Sequence, residues 1–260
     1  MPMAPAKSRH KNHPDDVRPS TADALDVARF SRMADTWWDT AGPFKPLHAL
    51  NPARIGFIRD HAATRLGRDP LESRPLRGLT VLDIGCGGGL LCEPLCRLGA
   101  NVTGIDASAE NVAIARSHAQ AMGLDIRYRA VLPEVLADDG STFDLVVTME
   151  VIEHVADVDA FLSAAAALTA PGGAMALATL NRTFKSLAMA KIGAEYLLRW
   201  LPPGTHDWRK FVRPSELAAG LRRTGMTLVD LKGATFRPFS GEWTLSDDLE
   251  VNYLAYAVKG

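Results

Sequence analysis

The sequence predicts an α/β fold built on a mostly parallel, doubly wound sheet of seven strands. Two observations lead to this prediction. From Leu79 onward, short apolar runs rich in β-branched residues alternate with segments of helical spacing, and this order is typical of parallel sheets covered by helices. The strand runs are also apolar almost throughout, which indicates burial on both faces. The predicted strands are 79–85, 101–106, 126–131, 143–149, 174–181, 226–233 and 252–260.

Composition narrows the classes of function. The chain has 260 residues, of which 47% are hydrophobic, and its formal net charge is −1. Nucleic acid is therefore not expected as a partner, because nucleic-acid-binding proteins need a basic face. Three cysteines argue against a disulfide framework and for a reducing compartment. No apolar run reaches the roughly 20 residues needed to span a bilayer, so we expect a cytoplasmic protein.

The pattern divides the chain into three segments. Residues 1–19 are polar and proline-containing and predict a disordered tail. Residues 20–78 predict N-terminal helices that cap the site, the first with a hydroxyl N-cap at Ser20 or Thr21 and the second with Pro52 at its first position. Residues 79–260 hold the alternating strands and helices, with an insertion at about 183–210.

A glycine-rich loop follows the first predicted strand, in the run Asp83-Ile84-Gly85-Cys86-Gly87-Gly88-Gly89. Glycines here permit a tight turn and a close approach of the backbone to a ligand. Asp106 ends the second strand, where an acid accepts hydrogen bonds from ribose hydroxyls. Strand, loop, helix, strand and terminal acid in this order predict a cofactor that contains a nucleoside.

The spacing of the loop distinguishes between nucleoside cofactors. A dinucleotide fingerprint needs glycine where Leu90 stands. The pattern Asp83-x-Gly85-x-Gly87-x-Gly89 instead resembles motif one of the class I methyltransferases, which have a Rossmann-like fold. That resemblance implies that the loop passes the methionine part of S-adenosylmethionine and that Asp106 holds the ribose. The acid that many members carry after the third strand is absent or displaced at 130–134, so no residue is assigned to adenine.

Three polar residues follow the fourth predicted strand, at the edge of the sheet where ligands bind. In a helical turn, Glu150, Glu153 and His154 would share one face. Two carboxylates and an imidazole suit a divalent cation, or they supply a general base for a phenol. Similar turns occur in metal-free methyltransferases, where the histidine contacts substrate or starts a helix, so this third interpretation stays open.

A longer sequence pattern, the string at 37–54, is more specific for one protein family. It comprises Trp37-Trp38-Asp39, Gly42-x-Phe44-x-x-Leu47-His48 and Asn51-Pro52-x-Arg54. With the runs at 149–155 and 251–257, it resembles the ubiquinone biosynthesis O-methyltransferase family. The resemblance implies O-methylation of polyprenyl catechols and demethylubiquinol. It also implies cofactor contacts and a divalent cation such as magnesium. The implied cofactor residues are Arg54, Gly85, Asp106 and Met149, with Gly87 in the same loop, and the implied metal ligands are Glu150, Glu153 and His154.

The resemblance also suggests roles. Arg54 would pair with the methionine carboxylate, and Met149 would pack against the adenosine. A bound cation would lower the pKa of the acceptor hydroxyl, and His154 or Glu150 would take its proton. The aromatic residues Trp208, Phe211, Phe239 and Trp243 are candidates for the substrate site or for the core.

The insertion contains an amphipathic segment. On a helical wheel, the charged residues of 184–201 fall on one side, together with two apolar ones, and the other apolar and aromatic residues fall mostly on the opposite side. The polar side carries Lys185, Lys191, Glu195 and Arg199, with Phe184 and Ile192 among them. This pattern suits a helix lying on an anionic membrane surface, and equally a lid packed on the domain. Because the implied substrate is a lipophilic quinone precursor, we expect a peripheral location on the inner face of the membrane, with other quinone-pathway enzymes as further candidate partners.

Three rival functions differ in class. One is a methyltransferase for another small phenolic acceptor, which the string at 37–54 disfavours. Another is a non-catalytic scaffold that binds an adenosyl group, which the intact loop, Asp106 and the acidic turn disfavour. A nucleic-acid methyltransferase would need a basic stripe and an N/D-P-P-Y/F sequence where Met149-Glu150-Val151-Ile152 stands.

Overall fold

The computed structural model describes residues 20–188, 207–237 and 241–260. Within these ranges eight strands form one sheet, in the order β3-β2-β1-β4-β5-β8-β6-β7. The strands are β1 Thr80–Ile84, β2 Asn101–Asp106, β3 Arg127–Ala130, β4 Phe143–Met149, β5 Thr169–Leu180, β6 Met226–Arg237, β7 Glu242–Ser246 and β8 Asn252–Lys259. Strands β1 to β5 pair in parallel, and β8 inserts antiparallel between β5 and β6. The predicted doubly wound, mostly parallel sheet is confirmed.

The eighth strand is a difference from the seven predicted. Strand β6 continues to Arg237 instead of ending at Gly233, and β7 pairs antiparallel with this extension, Phe236 opposite Trp243. The extension lies at the edge of the sheet, where a strand mixes polar with apolar residues and lacks the continuous apolar run of the buried strands. The sequence pattern that identifies central strands therefore passes over it.

Helices cover both faces of the sheet. They are α1 Ala24–Arg32, α2 Lys45–Arg65, α3 Cys92–Arg97, α4 Ala109–Ala121, α5 Pro133–Asp138, α6 Val158–Leu168, α7 Phe184–Ser186 and α8 Pro214–Arg223, with 3-10 turns at Ala34–Thr36, Ile152–His154 and Trp208–Lys210. Neighbouring strand residues point to opposite faces. Val81 and Val147 pack with α2 and α3 on one side, whereas Leu82 and Val146 pack with α6 and α8 on the other, and none of the four is exposed. This two-sided core fixes the position of the strands between the helices.

The N-terminal helices begin at other residues than predicted. Helix α1 is capped by Asp23, whose Oδ1 accepts hydrogen bonds from the N–H groups of Leu25 and Asp26 at 2.9 and 3.5 Å. The predicted hydroxyl cap at Ser20 or Thr21 is therefore wrong. Helix α2 begins at Lys45, and Pro46 takes the first-turn position that proline favours. Pro52 lies inside α2, where it removes one backbone N–H donor from the helix.

Several predictions concern residues outside the described ranges. The tail at 1–19 and most of the amphipathic segment at 184–201 fall there, as does Phe239. They stay predictions, as do the segment boundaries near 20 and 79. Among the residues that the structure does describe, no helix has the length and apolar character needed to cross a bilayer.

Candidate active site

A cavity of about 210 Å³ opens at the carboxyl ends of β1, β2 and β4. The strand order reverses beside β1, because β2 and β3 follow on one side of it and β4 and β5 on the other. Doubly wound folds bind ligands at such a switch point. Six of the predicted site residues line the cavity: Gly85, Gly87, Asp106, Met149, Glu150 and His154. Arg54 and Glu153 do not line it. The opposite wall comes from the N-terminal segment and includes Thr21, Asp26, Phe30, Trp37 and Phe44.

The two glycines of the loop have conformations that favour glycine. Gly85 has φ 75° and Gly87 has φ 52°, in the region that side chains rarely adopt. A Cβ on Gly85 would lie 2.5 Å from Val151 Cγ2, and one on Gly87 would lie 2.4 Å from Trp37 Cζ2. The loop therefore needs glycine both for its turn and for close packing against neighbouring side chains.

Asp106 joins the end of β2 to the glycine loop. Its Oδ2 accepts the N–H of Gly87 at 2.9 Å, and its Oδ1 accepts the N–H of Ser108 at 2.8 Å and the amide of Asn111 at 3.3 Å. Burial raises the pKa of Asp106, although these hydrogen bonds act in the opposite direction. The carboxyl group thus lies in the cavity wall with its orientation set by the backbone.

The string at 37–54 folds onto the glycine loop. Trp38 Nε1 donates to the Gly88 carbonyl at 3.0 Å, and Asn51 Nδ2 donates to the Leu90 carbonyl at 2.7 Å. Trp37 Nε1 donates to Asn111 Oδ1 at 2.9 Å, and its ring stacks on Phe44 with centroids 3.7 Å apart. The residues on which the family resemblance depends therefore form a cover over the loop.

Arg54 and Glu150 face each other beside the cavity. Arg54 on α2 is 4% exposed, and its Nη2 lies 2.9 Å from Glu150 Oε1. The contact lacks the angles of a hydrogen bond, so Arg54 Nε and Nη2 and Glu150 Oε1 have no hydrogen-bond partner in the described part of the chain. Glu150 also has φ 58°, a conformation that is uncommon outside glycine and that clusters at functional sites. A buried guanidinium with unsatisfied donors is suited to an additional anion.

The three predicted metal ligands have three different partners. Glu150 contacts Arg54, the buried Glu153 accepts the Thr179 hydroxyl at 2.7 Å, and His154 Nδ1 lies 3.3 Å from Asp26 Oδ2. Burial, with the nearby Glu150 charge, raises the pKa of Glu153 to about 7. Within residues 20–188, 207–237 and 241–260, no group of three ligand-type side chains is placed to hold a metal ion. The arrangement does not form a cation site, and the metal stays a prediction of the family resemblance.

His154 is held from the N-terminal side. Besides the contact with Asp26, its ring meets the edge of Phe30, with centroids 5.1 Å apart. Burial raises the pKa of the Asp26 carboxyl, but the hydrogen bond and charge of His154, together with Lys210 and Arg29, outweigh it and hold that pKa below its usual value. Asp26 and Phe30 were not identified from the sequence. Their spacing of four residues in a predicted helix was the one available signal.

The first acid after β3 is Glu134, and it binds the N-terminal segment. Glu134 Oε1 accepts the N–H of Thr21 and Oε2 accepts its hydroxyl, both at 2.9 Å. The cavity wall beside it is apolar, made of Val131, Leu132 and Pro133. Among the described aromatic candidates for the substrate site, Trp208, Phe211 and Trp243 do not line the cavity. Trp243 packs against the core on the α2 side instead.

Comparisons with known proteins identify the family to which the chain belongs. A family profile described as "Methyltransferase domain" matches residues 56–231. A protein named ubiquinone biosynthesis O-methyltransferase from Mesorhizobium japonicum is 52% identical over 243 residues, 94% of this chain and 98% of the relative. Proteins of the same name from Chelativorans sp. and Brucella ovis are 51% and 52% identical, over 94% and 92% of this chain and 96% of each relative.

Solved structures agree on the fold. The magnesium protoporphyrin IX methyltransferase of Synechocystis, with bound SAH, has a TM-score of 0.62 at 22% identity, over 92% of this chain and 98% of that one. A possible histamine N-methyltransferase from Thermotoga maritima has a TM-score of 0.58 at 16% identity, over 90% of this chain and 100% of that one. At these identities the likeness bears on the fold alone.

Proposed function

Because the chain belongs to the ubiquinone biosynthesis O-methyltransferase family, we propose that it moves a methyl group from S-adenosylmethionine to a catechol-type hydroxyl of polyprenylated ubiquinone precursors. The acceptors would be 2-polyprenyl-6-hydroxyphenol and 3-demethylubiquinol. One observation of the structure carries the proposal. One cavity is lined by Gly85, Gly87 and Asp106 and also by His154 and Asp26, so a nucleoside cofactor and a proton acceptor would share one space.

The cofactor residues divide by chemistry. Gly85 and Gly87 would border the methionine part, and Asp106 would accept hydrogen bonds from the ribose hydroxyls. Arg54 would pair with the methionine carboxylate through its planar fork. This pairing would satisfy the guanidinium nitrogens that lack a hydrogen-bond partner among the residues the structure describes. Met149 lines the cavity and would pack against the adenosine. The cofactor supplies a methyl group on a sulfonium.

His154 would take the proton of the acceptor hydroxyl. A phenol has a pKa near 10 and is a poor nucleophile while protonated, so a positioned base contributes to the rate. The imidazole lines the cavity and is oriented by Asp26 and Phe30. Glu150 is the second candidate base, but its carboxylate contacts Arg54, the group assigned to the cofactor. Alignment of the two reactants in the cavity would supply much of the remaining rate.

The family resemblance also predicts a divalent cation, magnesium, at Glu150, Glu153 and His154. In the described structure these side chains bind Arg54, Thr179 and Asp26 instead, so no step is assigned to a cation. The requirement is testable with labelled S-adenosylmethionine and a short-tailed prenyl catechol, with and without EDTA. Methylation that EDTA abolishes and magnesium restores would mean that the three side chains rearrange around a cation. Methylation that resists EDTA would support the metal-free route.

The same assay tests the function. No methylation despite tight S-adenosylmethionine binding would contradict the proposed acceptor. His154→Ala should lose most turnover, because the proton acceptor is gone, while calorimetry should find S-adenosylmethionine affinity unchanged. Equal losses of turnover and of affinity would contradict the role of His154.

A lipophilic acceptor also supports a cytoplasmic protein bound peripherally to the inner face of the membrane. Phe184, at the start of the amphipathic segment, is 84% exposed beside Trp208. Lys185 pairs with Asp248 and Glu250 at 2.8 and 2.7 Å, so its charge is already balanced by acidic groups.

Phe184→Asp should weaken co-sedimentation with anionic liposomes. Leu71→Asp, at a residue that is 79% exposed, serves as the matched control. Equal binding of wild type and both variants would contradict this surface.

A further inference from the structure

We infer that Asn111 is a positioning residue for the cofactor ribose, because it links the Trp37 side chain of the cover to the carboxylate of Asp106. The inference rests on the proposed function, in which Asp106 accepts hydrogen bonds from the ribose hydroxyls. Asn111 lies in the first turn of α4, is 2% exposed and lines the cavity together with Trp37 and Asp106. Its side-chain amide therefore joins the N-terminal segment to the end of β2.

The two partners of the Asn111 amide determine which way it points. An indole N–H only donates, so Asn111 Oδ1 accepts the hydrogen bond from Trp37 Nε1, at 2.9 Å. Asn111 Nδ2 then faces Asp106 and donates to its Oδ1 at 3.3 Å. Without the indole donor the amide could turn over and present its oxygen to the carboxylate, where two acceptors repel each other. Trp37 therefore keeps the N–H donors of Asn111 directed at Asp106.

The Asp106 carboxylate accepts hydrogen bonds of two kinds. The backbone N–H groups of Gly87 and Ser108 donate to it at 2.9 and 2.8 Å, and their positions are set by the glycine loop and by the start of α4. The Asn111 backbone is anchored in the same turn, because its N–H donates to Ser108 Oγ at 3.1 Å. Among the described donors to Asp106, the Asn111 amide is thus the one whose orientation depends on the cover.

This link gives the cover a part in ribose recognition. A carboxylate whose rotation is already limited loses less conformational freedom when a ligand binds to it. Trp37 would therefore strengthen ribose binding through Asn111 and Asp106, in addition to its packing on the glycine loop. A merely structural role for Asn111 in α4 is the alternative, and it would affect all cofactor-like ligands equally, whether or not they carry ribose hydroxyls.

Calorimetry with two ligands separates these roles. S-adenosylhomocysteine, the demethylated cofactor, carries both ribose hydroxyls, whereas its 2′,3′-dideoxy derivative carries neither. Asn111→Leu removes the amide with little change in size, and it should weaken binding of S-adenosylhomocysteine by about 10-fold, the worth of one hydrogen bond to a charged group. Binding of the dideoxy derivative should change little. Asn111→Asp, which places a second carboxylate opposite Asp106, should weaken binding of S-adenosylhomocysteine at least as much.

A matched control makes the same substitution at another asparagine of the cover. Asn51 donates to the Leu90 carbonyl at 2.7 Å, and no contact joins it to Asp106 among the described residues. Asn51→Leu loosens the cover without touching the carboxylate, so it should weaken both ligands by the same factor. If Asn111→Leu also weakens both ligands by one factor, or discriminates between them no more than Asn51→Leu does, the inference is overturned.

A double-mutant cycle tests the part of Trp37. Trp37→Phe keeps an aromatic ring beside Phe44 but lacks the N–H donor, so it should weaken S-adenosylhomocysteine more than the dideoxy derivative. In an Asn111→Leu background this preference should vanish. A preference that persists there would overturn the link through Asn111. Trp37→Phe leaves Asn111 in place, so it carries the same comparison if Asn111→Leu does not fold.

Asp106→Ala keeps this inference separate from the proposed function. That variant should weaken S-adenosylhomocysteine far more than the dideoxy derivative. If it weakens both equally, the ribose role of Asp106 is wrong and the inference falls with it. If Asp106→Ala discriminates between the ligands and Asn111→Leu does not, only the inference is overturned. The expected pattern of binding in a protein that does not methylate the prenyl catechol would overturn only the proposed acceptor.

Discussion

Gly87→Ala tests whether packing against Trp37, in addition to backbone conformation, makes the loop depend on glycine. Gly87 has φ 52°, and an added Cβ would lie 2.4 Å from Trp37 Cζ2. The ring cannot easily yield, because Phe44 stacks on it and Asn111 holds its Nε1. The left-handed conformation costs alanine about 1–2 kcal/mol, and overpacking adds about 1–3 kcal/mol. Gly123, at φ 66° with no atom within 4 Å of its Cβ position, incurs only the first cost.

The assay is equilibrium unfolding in urea, with the midpoint and slope fitted for both variants. The free energy of unfolding should fall by about 1–3 kcal/mol more for Gly87→Ala than for Gly123→Ala, the cost of overpacking. The leucine side chain is shorter than the tryptophan side chain that it replaces in Trp37→Leu. In that background, the loss of unfolding free energy caused by Gly87→Ala should approach the loss caused by Gly123→Ala. Equal destabilisation of the two glycine variants in the wild-type background would refute the reasoning.

Three further predictions concern the same edge of the sheet. Glu150→Gly and Glu150→Ala both remove the carboxylate that faces Arg54, but only glycine adopts the left-handed backbone conformation without strain. In urea unfolding, the glycine variant should therefore be more stable than the alanine variant by about 1 kcal/mol. Burial raises the pKa of Asp83 to about 7, above its ordinary 3.8. At pH values between these two pKa values, folding is therefore accompanied by uptake of a proton. The free energy of unfolding falls as the pH rises from about 4 to about 7. Asp83→Asn should flatten that decline in unfolding measured across the range. Trp38→Phe removes the Nε1 hydrogen bond to Gly88, and calorimetry should find S-adenosylmethionine binding weakened about 5-fold, the worth of about 1 kcal/mol.

Each of these three has its own contradicting result. Equal stability of the two Glu150 variants would show that the backbone there carries no excess energy. Parallel pH curves for wild type and Asp83→Asn would place the titrating group elsewhere. Unchanged S-adenosylmethionine affinity in Trp38→Phe would show that the cover does not support the loop.

The central sheet was predictable because two-sided burial produces a local signal. Val81 and Leu82 are buried on opposite faces of the sheet. Both faces of the strand therefore need apolar residues, and its sequence is a continuous apolar run. The edge extension with β7 gives no such signal, since one of its faces remains polar. Within the site, Gly85 and Asp106 were identified because a turn and a strand end are defined by adjacent residues.

The partners of the acidic turn could not be predicted in the same way. The contacts of Glu153 with Thr179 and of His154 with Asp26 join segments that are distant in the chain. Spacing in a turn shows that side chains share a face, but it does not show which distant group each one meets. The helical start at Asp23 was missed for a related reason, because Thr21 uses its hydroxyl to bind Glu134.

The contacts that close the N-terminal segment over the cavity bear on the order of folding. Thr21 meets Glu134 across 113 residues, Asp26 meets His154 across 128, and Asp23 meets Lys210 across 187. Closing such long loops costs entropy before any contact is gained. The glycine loop and Asp106 lie close together in the chain and can assemble early. We therefore expect the cofactor side of the cavity to form before the wall on the N-terminal side, since the contact of Asp23 with Lys210 cannot form until residue 210 has been synthesised.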